Sequence, residues 1–163
     1  MKGLNEYDKG WCGKLLTELF RRPISVPFRV PVDPKLDMCE DYLKIIKKPM
    51  DFSTIRSKLS DNKYKSFKDF VSDMLLVFSN AKQYNEEGTL IYMMADVLEE
   101  YVQGELKNKA DSWDSEWNNY IRDVTKRIRE HLLKAPNLNL YRNIGGSLGS
   151  FKALNPFESE KPN

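Results

Sequence analysis

The chain's 163 residues are 40% hydrophobic and 31% charged, enough for one compact core with material left over and too few for two ordinary domains. With 26 basic against 24 acidic side chains the net charge is +2, so no whole-chain field draws it onto DNA or an acidic membrane. The longest apolar runs, 74–78 and 90–95, are too short to span a bilayer, and residues 1–20 lack the apolar stretch of a signal peptide.

Residues 8–20 place Trp11, Leu15 and Leu19 on one helical stripe, with Cys12, Leu16 and Phe20 beside it. Pro23 stops that helix. Pro23, Pro27, Pro31, Pro34 and Pro49 then forbid a continuous helix and impose rigid, extended turns, with only 39–47 locally helical. Asp51 caps a short helix through Leu59 that turns Phe52, Ile55 and Leu59 inward, and Asp61-Asn62-Lys63 makes a turn. Ser66-x-x-Asp69 resembles a capping box with Asp in place of Glu. It opens the strongest helix, whose stripe runs Phe67, Phe70, Val71, Met74, Leu75, Phe78 and Ala81. Asn85-Glu86-Glu87-Gly88 breaks it, and Thr89 can cap the next helix. There Leu90, Ile91, Met94, Val97, Leu98, Tyr101 and Val102 make an equally wide apolar face. Faces this wide need one another, so a four-helix bundle is the economical solution.

Beyond Gln103-Gly104 the texture changes. Residues 111–134 hold Trp113, Trp117, Tyr120, Ile121, Val124, Ile128 and Leu132 at helical spacing, a fifth amphipathic helix outside the bundle. Left bare, that stripe would exceed the apolar patch a soluble monomer usually shows. It is expected to fold back on the bundle away from any pocket, the alternative being a helix-mediated contact with another chain. After Pro136 the chain turns to Asn, Gly and Ser, including Gly145-Gly146-Ser147-Leu148-Gly149, and an irregular or mobile tail is expected over 136–163.

Catalytic constellations are missing. His131, the one histidine, sits on a basic helical face and reads as solvated, leaving Ser/His/Asp and Cys/His/Asn relays without a base. Cys12 reads as a small core residue. Cys12 and Cys39 show neither metal-ligand spacing nor a disulfide framework, which points to a reducing, intracellular compartment. The glycines at 145–149 follow no strand and lack the lysine of a phosphate loop. Lys44, Lys47 and Lys48 read as a solvated face rather than a phosphate site. No enzyme, cofactor or metal is expected.

Three segments carry a resemblance instead. They are Val26-Pro27-Phe28-x-x-Pro31-Val32-Asp33, Asp41-Tyr42-x-x-Ile45-Ile46-Lys47-x-Pro49-Met50-Asp51, and Phe78-Ser79-Asn80-Ala81-x-x-Tyr84-Asn85. With their spacing, over roughly residues 10–105, they resemble a bromodomain. The resemblance implies an all-α, left-handed four-helix bundle with the long Pro-rich loop between its first two helices, plus the extra C-terminal amphipathic helix. Its domain would span 8–108, followed by a helical extension over 109–135.

The resemblance also implies roles. Asn85 matches the anchor that donates to an acetyl-lysine carbonyl, although asparagine also ends helices in the left-handed conformation. Tyr42 matches the tyrosine that reaches the same carbonyl through an ordered water. Pro27, Phe28 and Val32 would line the wall, with Cys39 below them; Phe28 could instead be plain core. Ile91 falls at the gatekeeper position, and Tyr84 would pack against the loop. Many family members have Trp where Val26 stands, so one wall is lower here. The implied function is an acetyl-lysine reader in the nucleus, binding acetylated histone or other acetylated tails to recruit or retain a chromatin-associated complex. Direct nucleic-acid and membrane binding are not expected. The alternatives are a helical interaction domain with a vestigial pocket, or the non-catalytic bromodomain of an acetyltransferase.

Overall fold

A computed structural model of the chain describes residues 3–134, in which the regular elements are all helical. The tail expected over 136–163 lies outside the described residues. The first helix, α1 (Glu6–Arg21), begins at Asn5, whose side-chain oxygen accepts the Asp8 N–H at 2.7 Å. Such a cap supplies one of the orphan donors of a helix start. Pro23 ends the α-helical run, as expected, but the chain does not become extended at once. It winds into a 3-10 helix, Pro23–Phe28, with Pro23 in its first turn, where a missing N–H costs nothing.

The helical stretch read over 39–47 shrinks to a single turn, α2 (Tyr42–Ile45), which ends at an extended Ile46. Next come α3 (Phe52–Ser60) and α4 (Phe67–Tyr84). Asp51 caps α3 by accepting the Thr54 N–H at 2.9 Å, and Ser66 with Asp69 closes the full capping box on α4. The turn between them needs a left-handed residue, and Asn62 takes it at φ 53. Then follows α5 (Leu90–Asn108). Thr89 sits at its N-cap position without capping it: the hydroxyl donates back to the Glu86 carbonyl at 2.7 Å, so the residue tightens the preceding turn. The last described helix is α6 (Trp113–Lys134).

Helices α1, α3, α4 and α5 close a ring, α1 on α3, α3 on α4, α4 on α5 and α5 on α1. This is the four-helix bundle the apolar stripes demand. Its core takes Leu15, Leu16 and Leu19 from α1, Phe52 and Ile55 from α3, Phe70, Met74 and Phe78 from α4, and Leu98 and Val102 from α5. Leu90 and Val97 were expected on the inward face of α5, yet they stand 63% and 55% exposed. The inward line is set by Ala95, Leu98 and Val102, and a 3.6-residue repeat carries Leu90 and Val97 off that line. Cys12 is fully buried, and its thiol is pushed up to about 12, by burial first and by Asp8 second. It is a core residue.

Two compact units divide the chain, the first ending at Trp113 and the second beginning at Asp114. The first closes with a clasp. Lys109 sits 4.6 Å from the ring centres of Tyr7 and Phe67 and 2.7 Å from an Asp8 carboxylate oxygen, with 11% of its side chain exposed. Trp113 meets Tyr7 edge-on at 5.0 Å. Among the described residues no helix is long and apolar enough to cross a membrane.

Candidate binding site

The Pro-rich loop is held against the bundle by an aromatic knot. Phe28, buried at the end of the 3-10 helix, lies 6.4 Å from both Phe52 and Phe78, which themselves lie 6.0 Å apart. Each buried phenylalanine contributes roughly 1.5–3 kcal/mol of transfer free energy. Polar ties add direction. The Ser53 N–H donates to the Arg29 carbonyl at 3.0 Å, and the Asn80 amide, on buried α4 surface, donates to the Lys48 carbonyl at 2.8 Å. Within the loop, Asp33 accepts from the Lys35 N–H at 2.9 Å, and Met38 adopts φ 52 with its side chain almost wholly in solvent.

Between this loop and the α4–α5 junction lies a cavity of about 340 Å3. That is within the range of small-ligand sites. Of the residues singled out in the sequence, Pro27, Phe28, Val32 and Cys39 border it from the loop, Tyr42 from α2, and Tyr84, Asn85 and Ile91 from the α4–α5 side. Phe28 does both things asked of it, serving the core knot and the cavity wall together. Val26 does not border the cavity and is 56% exposed. As the second residue before Phe28 turns inward, it is carried outward by the 3-10 winding.

The two tyrosines differ in what they are free to do. Their rings meet edge-on at 5.0 Å. The Tyr84 hydroxyl is committed: it donates to Asp41 at 2.7 Å, and this bond above all, then desolvation, pushes its pKa up to about 12. Tyr42 is buried and its hydroxyl has no hydrogen-bond partner among the described residues; desolvation raises its pKa. Cys39 is also raised, by desolvation first and then by Asp37, Asp41 and Asp33.

Asn85 follows α4 with φ −99 and ψ 141, an extended backbone. The left-handed helix-end role therefore does not apply to it. Its amide donates one N–H to the Ala81 carbonyl at 2.9 Å, which fixes the side-chain plane and leaves a second N–H and the side-chain oxygen uncommitted.

Sequence reasoning passed over several contributors. Met50, Val77 and Ala81 complete the apolar wall, and Asp37 stands at the margin. Asp41 orients Tyr84, and Asn80 ties down the loop. Asn80 had a signal: a polar residue among Val77, Phe78 and Ala81 on an inward stripe needs a buried partner. Asp41 had none, because its partner lies 43 positions away.

Residues 12–97 match the family profile described as Bromodomain. The SWR1 complex bromodomain subunit bdf1 of Schizosaccharomyces pombe is 43% identical over 98 residues, 58% of this chain and 17% of that protein. Histone acetyltransferase GCN5 of Debaryomyces hansenii is 39% identical over 97 residues, 60% of this chain and 21% of that protein. Nucleosome-remodeling factor subunit NURF301 of Drosophila melanogaster is 35% identical over 108 residues, 66% of this chain and 4% of that protein. The chain thus spans about a fifth or less of the length of these relatives.

Proposed function

Because this chain belongs to the bromodomain family, we propose that its cavity reads acetylated lysine in histone tails and so retains a chromatin-associated complex in the nucleus. The observation that carries this reading is the pairing of an apolar cavity with two uncommitted polar groups, the Asn85 amide and the Tyr42 hydroxyl. An acetyl-lysine side chain has about eight heavy atoms. A cavity of about 340 Å3 holds that and a few waters at ~30 Å3 each. The second Asn85 N–H donates to the acetyl carbonyl, and the Tyr42 hydroxyl reaches it through a water.

Selection against free lysine follows from the same walls. An ammonium would lose its hydration in an apolar slot while facing an N–H donor, a cost of several kcal/mol. Acetylation removes the charge and supplies an acceptor. The margin outside is different, since Asp33, Asp37 and Asp41 gather near Cys39 and suit basic residues flanking the mark. A whole-chain charge of +2 conceals this local field. With about eight atoms engaged at roughly −0.3 to −1 kcal/mol each, one mark binds at micromolar strength at best.

A second reading, the non-catalytic module of an acetyltransferase, is favoured by the similarity to Histone acetyltransferase GCN5 and leaves the chemistry of the cavity unchanged. Calorimetric titration with paired histone peptides, acetylated and unmodified, tests the reader assignment. The acetylated form is expected to bind at least tenfold more tightly. Equal affinities would instead mark a general interaction surface.

A further inference from the structure

We propose that α6 is a self-association helix that pairs antiparallel with α6 of a second copy of this chain. The helix has 22 residues, a length of ~33 Å. Trp117, Tyr120, Ile121, Val124 and Ile128 recur at intervals of three and four, a stripe of coiled-coil character. None of the helix's residues is buried, and Trp117, Tyr120, Ile121 and Ile128 all stand more than 40% exposed. An apolar stripe of this kind marks an interaction surface.

Charge says what covers it. Residues 111–119 carry Asp111, Asp114 and Glu116 and no base, net −3. Residues 120–134 carry Arg122, Lys126, Arg127, Arg129 and Lys134 against Asp123 and Glu130, five minus two, net +3. A parallel pair would set like charge on like. An antiparallel pair sets the acidic start of each helix beside the basic end of the other, with the helix dipoles opposed.

One register satisfies the seam and the charges together. Turned about the midpoint between Ile121 and Val124, the pair faces Trp117 with Ile128 and Ile121 with Val124. The same turn brings Asp114 near Arg129 of the other copy. Trp117 and Tyr120 stack on one another at 5.9 Å and present one broad aromatic face. Rings of this size bury ~150–250 Å2 each when wholly covered, so the four partly exposed rings of two copies supply up to about half of the ~1,200 Å2 of a stable specific interface, and the seam's isoleucines and valine add to them.

The consequence is a particle with two cavities. That consequence rests on the reader assignment; the pairing does not.

Sedimentation equilibrium of the full chain decides it without any peptide. At low salt the mass is expected near twice 19.1 kDa. The double variant Ile121→Glu/Val124→Glu is expected to be monomeric. Asp114→Arg is expected to weaken the dimer severalfold, since symmetry repeats the lost pair. Adding Arg129→Glu to that variant is expected to restore it. A monomer at every concentration tested would overturn the proposal in favour of a stripe covered within one chain. So would a dimer indifferent to Ile121→Glu/Val124→Glu, or charge-reversed helices that fail to re-pair, an outcome that stands even if the seam variant loses helix.

Discussion

Asn85 and Asn80 stand five positions apart on the same helix end, and the geometry separates their duties. Asn85 spends one N–H on the Ala81 carbonyl and keeps the other, whereas Asn80 is buried and bonds the loop through Lys48. Asn85→Ala is therefore expected to lower stability by about 1 kcal/mol or less and to abolish binding of an acetylated peptide in calorimetry. Asn80→Ala is expected to behave in the opposite way. It leaves the Lys48 carbonyl without its partner and costs about 1–3 kcal/mol in denaturant melts, with affinity falling only as far as the loop loosens. A similar contrast holds for the tyrosines. Tyr42→Phe would remove the water-bridged contact proposed for this hydroxyl and is expected to weaken peptide binding by about 1 kcal/mol.

The titrations at the cavity all run in one direction. Tyr84 is held up to about 12 by Asp41, and Tyr42 and Cys39 are raised by burial. Raised acids keep their protons, so the Tyr84–Asp41 bond is fully present below the ordinary tyrosine value of about 10. It is lost as the pH rises through about 12. Affinity for an acetylated peptide lacking histidine is therefore expected to stay level from about pH 6 to 8. Titration of tyrosine absorbance should show Tyr84 ionising late. A change of affinity above about threefold within that window would contradict this account.

Among the elements, the junction after α5 carries more than its sequence suggests. Lys109 lies between the Tyr7 and Phe67 rings and pairs with Asp8, and Trp113 closes on Tyr7. Cation–aromatic contacts at such a desolvated site are worth about 1–2 kcal/mol, and removing one partner of a half-buried ion pair costs a comparable amount. A chain ending at 108 is thus expected to melt about 5–15 °C below one ending at 113. Equal melting temperatures would show that the clasp is idle. The comparison also matters for α6: a cut at 108 destabilises through Lys109 and Trp113 whatever covers the stripe, so only a cut after 113 reports on α6 itself.

At the scale of the molecule, the helices were legible in the sequence because each one announces itself locally. The apolar period, the Asp51 and Ser66–Asp69 caps and the Pro23 stop act within a few residues of where they are written. The identity of the wall residues Phe28, Tyr42 and Asn85 was legible through spacing that resembles a known family. What only the tertiary structure decided depends on groups distant in sequence. The α5 stripe rotates to bury Ala95 and expose Val97, because packing against α4 and α1 chooses among several apolar faces. Tyr84 is committed and Tyr42 uncommitted because only the fold brings Asp41 to one of them and not the other. Local patterns determine which helices form, since their free energies come from neighbours along the chain. Whether the Tyr84 hydroxyl is left free at the cavity is settled by its hydrogen bond to Asp41, 43 positions away, and no short stretch of sequence contains both ends of that bond.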